Sequence, residues 1–260
     1  MNGQWQFPRF RFRAFSVWHR NLLVWRKLIG PAVLMNFGEP LLYLLGLGYG
    51  LSLFVGTMDD IPYLTFLASG VVASSTMMTA SFEAMYSVFT RMIPQRTYEA
   101  IMVTPLELDD ILAGEALWCA TKGMFSTTAI LLVAWLLGAV AGPWAVLAIP
   151  VGFLIGLSFA GMGIAMSALS PNYDFFSYYF TLVITPMFIL SGVFYPVETL
   201  PEAVQWLVQL LPLYHAVALV RPLVAGFTVE APLLHIGVLL IYAILGYYLA
   251  VVLTRRRLLV

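Results

Sequence analysis

Charge is scarce in this sequence. Only 10% of its 260 residues are charged, 13 basic and 13 acidic, so the formal net charge is zero. No basic patch for nucleic acid stands out, and no such partner is expected. Cysteine is nearly absent. The single Cys119 lies in an apolar segment, which excludes a disulfide framework within the chain. The three histidines, His19, His215 and His235, are far apart and lack metal-ligand spacing. Motifs are missing too: no GxxxxGK(S/T) phosphate-binding loop, no GxSxG elbow, and no small-residue cleavage site behind the basic N-terminus. An enzyme active site and a nucleotide site of the chain's own are therefore unsupported, and no cleavable signal peptide is expected. Low-complexity segments and internal repeats are not evident either, so residues 1–260 read as one domain.

What the sequence has is apolar residues, 61% of the total, with a mean hydropathy of +0.90. Apolar runs of about 20 residues recur, the length a helix needs to cross the hydrocarbon region. The expected fold is an all-α polytopic membrane protein with six spans, at about 29–55, 62–90, 111–138, 143–169, 175–193 and 232–254. Ala141-Gly142-Pro143 is the tight turn between the third and fourth, and 170–174 (SPNYD) separates the fourth from the fifth. Six spans put both termini on one side. Six bases precede the first span (Arg9, Arg11, Arg13, Arg20, Arg26, Lys27). Two more lie in 91–110 and three end the chain (Arg255, Arg256, Arg257). That side, with eleven of the 13 bases, is expected to be cytoplasmic.

Within 9–27, Phe15, Trp18, Leu22 and Trp25 share one helical face, the pattern of a basic amphipathic helix at the membrane surface. Residues 91–110 (RMIPQRTYEAIMVTPLELDD) form the substantial polar loop between apolar segments. Pro94 is placed to open a short helix over about 95–103, and Thr104-Pro105-Leu106-Glu107 reads as a capping box for the next. Residues 199–226 carry two half-helices too short to span, the first beginning at a capping box, Thr199 to Glu202, and the second covering 213–225. Tyr195, Pro196, His215 and Arg221 are the polar and turn residues placed at this outer end.

The second predicted span carries a polar stripe, Thr65, Ser69, Thr76, Thr79, Glu83, Ser87 and Thr90. Two readings stand: helix packing through hydroxyls, or the lining of a hydrated path, to which Glu83 lends weight. Glu39 and Lys122 are the other intramembrane charges. Glu39 falls about 18 Å beyond Lys27 along a straight helix, and Lys122 suits either a salt link with a neighbour such as Glu115 or snorkelling. Tyr178 and Thr181, in an aromatic run opening the fifth span, are candidates for substrate contact or for interface anchoring.

QRTYEAIMVTP with the following ELDDILAGE, and SGVFYPVETLP with LPLYHAVALVRPLVAG, resemble the coupling loop and C-terminal signature of ABC-transporter type-2 permeases. FGEPLLYLLGLGYGLSLFVG, FEAMY and ALWCATKG are similar to the nodulation-factor exporter permease subfamily, associated with lipo-chitooligosaccharides, and to its polysaccharide-exporting relatives. The resemblance implies a homodimer paired with two copies of a soluble ATPase, which binds ATP and Mg while this chain binds no cofactor. It implies ATPase contact through the short helix, with Arg96, Thr97, Tyr98, Glu99, Ile101 and Met102 the residues expected there. It implies a substrate path that includes Thr76, Thr79, Glu83, Ser87, Tyr178 and Thr181, and an outer gate near Tyr195, Pro196, His215 and Arg221. Membrane lipids and a lipid-linked or amphipathic glycan are the remaining partners. The alternatives are a proton-coupled secondary transporter using Glu39 and Glu83, and a membrane-embedded glycolipid enzyme.

Overall fold

The computed structural model describes residues 5–9, 11–27, 29–30, 38 and 40–259. Its elements are α1 (Ala14–Arg26), α2 (Pro40–Val55), a hairpin of β1 (Thr57–Met58) and β2 (Ile61–Pro62), α3 (Tyr63–Met92), α4 (Thr97–Met102), α5 (Leu108–Leu136), α6 (Pro143–Leu169), α7 (Phe175–Leu190), α8 (Glu202–Val208), α9 (Pro212–Ala225) and α10 (Pro232–Leu258). Four of these, α3, α5, α6 and α10, are long and apolar enough to cross a membrane; α8 and α9, bent by 87°, make a fifth if taken together. The predicted first and fifth spans correspond to the shorter apolar helices α2 and α7. Glu39, expected near mid-membrane, lies outside the described residues.

The bundle centres on α3, α5 and α6, with α10 against α6, α9 against α3, and α1 along the first half of α5. Small residues set the close approaches. A Cβ on Gly161 of α6 would lie 2.5 Å from the carbonyl carbon of Gly246 in α10. Backbones meet there because neither residue has a side chain, the packing device that apolar helices use among themselves. Gly161→Ala is expected to push α6 and α10 apart and to cost about 1–3 kcal/mol, read as a lower thermal unfolding temperature in detergent.

The two ends of the bundle are built differently. At one end, Asp59 and Asp60 turn the β hairpin with φ of 51° and 60°, the doubly left-handed turn suited to a two-residue hairpin. The other end carries α4, and the three C-terminal arginines hold it together. Arg255 pairs with Asp109 at the start of α5. Arg256 lies 4.2 Å over the Trp5 ring. Arg257 Nη1 donates to the carbonyls of Ser167 and Ala168 at 2.9 and 3.0 Å, closing the last turn of α6.

Local boundaries differ from the sequence expectations for identifiable reasons. Pro94 sits in a turn; α4 starts only at Thr97, after Arg96 in a left-handed conformation with φ 48°. The capping box before α5 is formed by Glu107 and Asp110, one helical turn past the expected Thr104. The reciprocal bonds require acceptors that reach both backbone N–H groups, and the two carboxylates supply them. The Thr104 hydroxyl instead donates back to the Ile101 carbonyl. Thr199 likewise bonds the Pro196 carbonyl and caps nothing; α8 starts behind Pro201. The second half-helix ends as expected, at Gly226 with φ 81°.

Candidate functional site

A cavity of about 1150 Å³ opens between α1, α2, α3, α5 and α7. Its wall from α3 includes Ser74, Ser75, Met78, Thr79, Phe82, Glu83, Tyr86, Ser87 and Thr90. Trp25 comes from α1, Tyr43 from α2, Trp118 and Lys122 from α5, and Phe188 from α7; Tyr173 precedes α7. The lining is thus mixed, with apolar and aromatic surfaces interrupted by hydroxyls and charges.

Three of the helices around this cavity contain π-helical turns: Tyr43–Tyr49 in α2, Glu83–Ser87 in α3 and Phe180–Ile184 in α7. Such turns widen the helix, disturb the regular i−4 bonding, and occur often at functional sites. In α3 a neighbouring helix attends to the disturbed carbonyls. Ser167 Oγ of α6 lies 2.7 Å from the Ala84 carbonyl and 2.9 Å from that of Met85.

The π turn of α3 begins at Glu83, the centre of a buried charge cluster. Glu83 Oε1 accepts from Trp118 Nε1 at 2.9 Å and from Arg91 Nη2 at 3.2 Å. Its other oxygen lies 3.5 Å from Lys122 Nζ. Arg91 also takes both oxygens of Glu115, at 2.9 and 2.7 Å, with the Glu115 side chain fully buried. Asn21 of α1 adds a bond to Glu115 at 2.9 Å. The planar guanidinium matches a carboxylate two-point fork, a geometry an ammonium does not reproduce. The cluster ties α3 to α5, the two helices on either side of α4, and through Asn21 ties α1 to α5.

The sequence-predicted residues separate into groups. Thr79, Glu83, Ser87, Thr97 and Lys122 line the cavity together. Thr76 is buried away from it: its hydroxyl bonds the Val72 carbonyl and lies 2.6 Å from Thr127, packing α3 on α5. Ser69 and Thr90 also bond their own helix, at Phe66 and Tyr86. Tyr178 and Thr181 are exposed on α7 and do not line the cavity. The residues that sequence reasoning missed are Arg20, Asn21, Arg91, Trp118, Tyr86 and Tyr173. Composition places Arg91 in the polar loop, although its spacing of eight residues from Glu83 places both on one helical face. Nothing in the sequence marks Trp118 or Asn21 as partners of these acids.

The surface helix reading of α1 also changes. Trp18 donates to Thr121 at 2.9 Å, and Trp25 stacks on Phe125 with centroids 5.1 Å apart. Two rings of the predicted aromatic stripe therefore face α5.

On α4 the exposed surface is Arg96, Glu99 and Ala100, followed by Val103, an apolar side chain 88% exposed just past the helix end. Ile101 and Met102 are half-buried. Tyr98 points inward and is fully buried, so it anchors α4 on the bundle and is withdrawn from any docking partner. Its hydroxyl has no hydrogen-bond partner among the described residues, and burial pushes the phenol well above its usual range, so it stays neutral. Tyr98→Phe removes an unsatisfied group and is expected to leave stability unchanged or slightly raised. Tyr98→Ala should cost about 3–5 kcal/mol. Thermal unfolding of the two variants side by side checks both expectations.

At the hairpin end, Arg221 is enclosed. It lies 3.6 Å over the Phe66 ring, donates to Ser69 Oγ at 3.1 Å, and reaches the Gly192 carbonyl. Nε2 of His215 lies 2.8 Å from the Gln209 carbonyl and must carry a proton to bond it. In the neutral ring Nδ1 then accepts from Nδ1 of His235, 2.8 Å away in α10. Tyr195 and Pro196 are half-buried in the loop before α8. Among the described residues no group of three or more His, Cys, Asp or Glu converges as a metal site.

Comparison with known proteins fits this geometry. Residues 14–225 match the family model described as ABC-2 type transporter. The chain is 44% identical over 243 residues to nodulation protein J of Rhizobium leguminosarum bv. viciae, covering 94% of each protein. It is 43% identical over 251 residues to nodulation protein J of Rhizobium meliloti (strain 1021), covering 96% of each. A more distant relative, the inner membrane transport permease YadH of Escherichia coli (strain K12), is 27% identical over 242 residues, covering 90% of this chain and 91% of that one. With its membrane-length helices, its polar cavity and this match across most of its length, the chain belongs to the ABC-2 type transporter family.

Proposed function

We propose that the chain is the membrane subunit of an ATP-driven exporter that moves a lipid-linked or amphipathic glycan across the bacterial inner membrane. The observation that carries this reading is the exposed helix α4, braced by the charge cluster that ties α3 to α5. A chain without a phosphate-binding loop needs an external source of work, and α4 is a stiff point at which to receive it. ATP and Mg belong to a soluble partner ATPase, two copies of it acting on two copies of this chain. Arg96, Glu99 and Val103 form the docking face, on the cytoplasmic side with both termini.

When the ATPase closes, α4 moves, and Tyr98 carries the displacement into the bundle. Glu115 and Arg91 keep α3 and α5 together, so the two shift as a unit against α2 and α7. The π turns of α2, α3 and α7 are where that shift is taken up. The partner can shift the inward-open and outward-open populations only by binding them unequally. Tyr178 and Thr181, exposed on α7, face the second copy across the path. The mixed lining of the cavity suits a cargo with sugar and hydrocarbon parts, in keeping with the resemblance to lipo-oligosaccharide exporters.

A proton-coupled carrier is the second reading, prompted by Glu83 in the cavity wall. Its carboxylate is matched by Arg91 and Lys122, which favours a structural charge over a site that cycles its proton. Proteoliposomes separate the two readings. Glycolipid movement driven by ATP with the partner ATPase present, and absent under a pH gradient alone, is the expected result; movement by this chain alone under a pH gradient would sink the exporter reading.

A further inference from the structure

The charges around the cavity do not cancel. Arg20, Arg91 and Lys122 line it, and Glu83 and Glu115 are the acids that answer them. Arg91 takes both oxygens of Glu115 and shares Glu83 with Lys122. Three cations against two carboxylates leave one positive charge over, on Arg20. Among the described residues Arg20 makes no ion pair. Its Nη2 donates to Asn21 Oδ1 at 2.7 Å, and its Nε, cut off from solvent, has no partner. Asn21 gives its own amide to Glu115, so a neutral side chain stands between Arg20 and the nearest acid. About one turn on from Arg20, α1 lines the cavity with Val24 and Trp25, and Met78 and Phe188 add further apolar surface to the same cavity. A half-buried guanidinium with no acid paired to it among the described residues favours an oxyanion, which it can hold by two parallel bonds. The apolar wall favours a hydrocarbon chain attached to that anion.

We propose that this cavity binds the acidic group of an amphiphile (a phosphate, sulfate or carboxylate) on Arg20, with the chain of that amphiphile along the Val24 and Trp25 wall. The proposal rests on the cavity being the transport path and adds that the molecule seated there is anionic. The acid belongs either to the cargo or to a lipid of the surrounding bilayer, since the chemistry is the same.

The test is direct binding to the full-length chain in phosphatidylcholine nanodiscs, without ATPase, by titration with dodecyl phosphate and with neutral dodecyl maltoside. The wild-type chain is expected to prefer dodecyl phosphate. Arg20→Gln should weaken dodecyl phosphate by roughly tenfold or more, the worth of a charge-assisted pair. The same variant should leave dodecyl maltoside unchanged, and Arg20→Lys should retain most of the affinity. Equal affinity of wild-type and Arg20→Gln for dodecyl phosphate overturns the proposal. If Arg20→Gln does not fold, wild-type binding decides: no preference for the phosphate over the maltoside overturns it equally. Adding phosphatidylglycerol to the discs then locates the source. Competition assigns the acid to bilayer lipid, and lack of competition assigns it to the cargo; both uphold an anion site. Because no ATPase is present, failure of ATP-driven transport would leave this result standing, and the reverse holds as well.

Discussion

Glu115→Ala is expected to destabilise the protein by about 3–5 kcal/mol, because it leaves a buried guanidinium uncompensated. Arg91 would lose both of its short bonds to Glu115 and keep only the longer contact with a Glu83 already shared with Lys122. Asn21 would lose its acceptor at the same time, freeing α1 from the cluster. The double variant Arg91→Met with Glu115→Leu should recover much of that loss, since apolar side chains of similar volume often replace a buried pair at little cost. Thermal unfolding in detergent reads both. The recovered double variant should nonetheless transport poorly, because α3 and α5 would no longer be joined by directional bonds. Full transport by that variant would show that packing alone transmits the movement.

The second large effect is expected on the docking face. Val103→Asp and Glu99→Arg change exposed positions, and substitutions there usually alter stability by no more than about 0.5 kcal/mol. If Val103 enters an apolar cleft of the ATPase, burying a carboxylate there should cost at least about 2 kcal/mol of association, or roughly thirtyfold in affinity. Transport and ATPase retention on the purified complex should fall together while the unfolding temperature stays put. Loss of transport with the ATPase fully retained would place the defect inside the bundle.

Much of the architecture can be read from residues 62–169 and 232–258, where long apolar runs are broken by clear punctuation. The turn at Gly142-Pro143 and the left-handed cap at Gly226 are local events, fixed by residues with few conformational options. The departures come from competition, some of it between neighbouring residues and some of it tertiary. Thr104 has the spacing of a capping residue, but Glu107 and Asp110 sit closer to the free N–H groups of α5 and take them. Arg91 sits at the polar edge of an apolar helix, so composition assigns it to the loop. Its place is set by Glu115, 24 residues on, a partner that helix periodicity within one segment does not reveal. The stripe on α3 was legible as a stripe, yet its uses divide along its length. Thr76 meets Thr127 inside the bundle, whereas Thr79, Glu83 and Ser87 meet the cavity, and only the positions of α5 and α7 decide between these. The same limit applies to α4. Helical spacing groups Tyr98 with its neighbours, but which side faces the bundle depends on how the turns at Arg96 and Val103 aim the helix. Val103 is not legible in the sequence, because an isolated valine in an apolar chain carries no signal.

The central claim, that α4 receives the work of an ATPase, can be tested by cross-linking. The native Cys119 is fully buried, so an added surface cysteine supplies the accessible thiol. Val103→Cys at the α4 end and Val146→Cys at the opposite end, 88% and 63% exposed as valines, form a matched pair of apolar surface positions. In membranes holding the chain with its co-expressed ATPase, a thiol-reactive cross-linker should join Val103→Cys to the ATPase, with a yield that changes when ATP is added, and should leave Val146→Cys unjoined. Cross-linking from Val146→Cys with none from Val103→Cys would contradict the assignment of α4 as the coupling element.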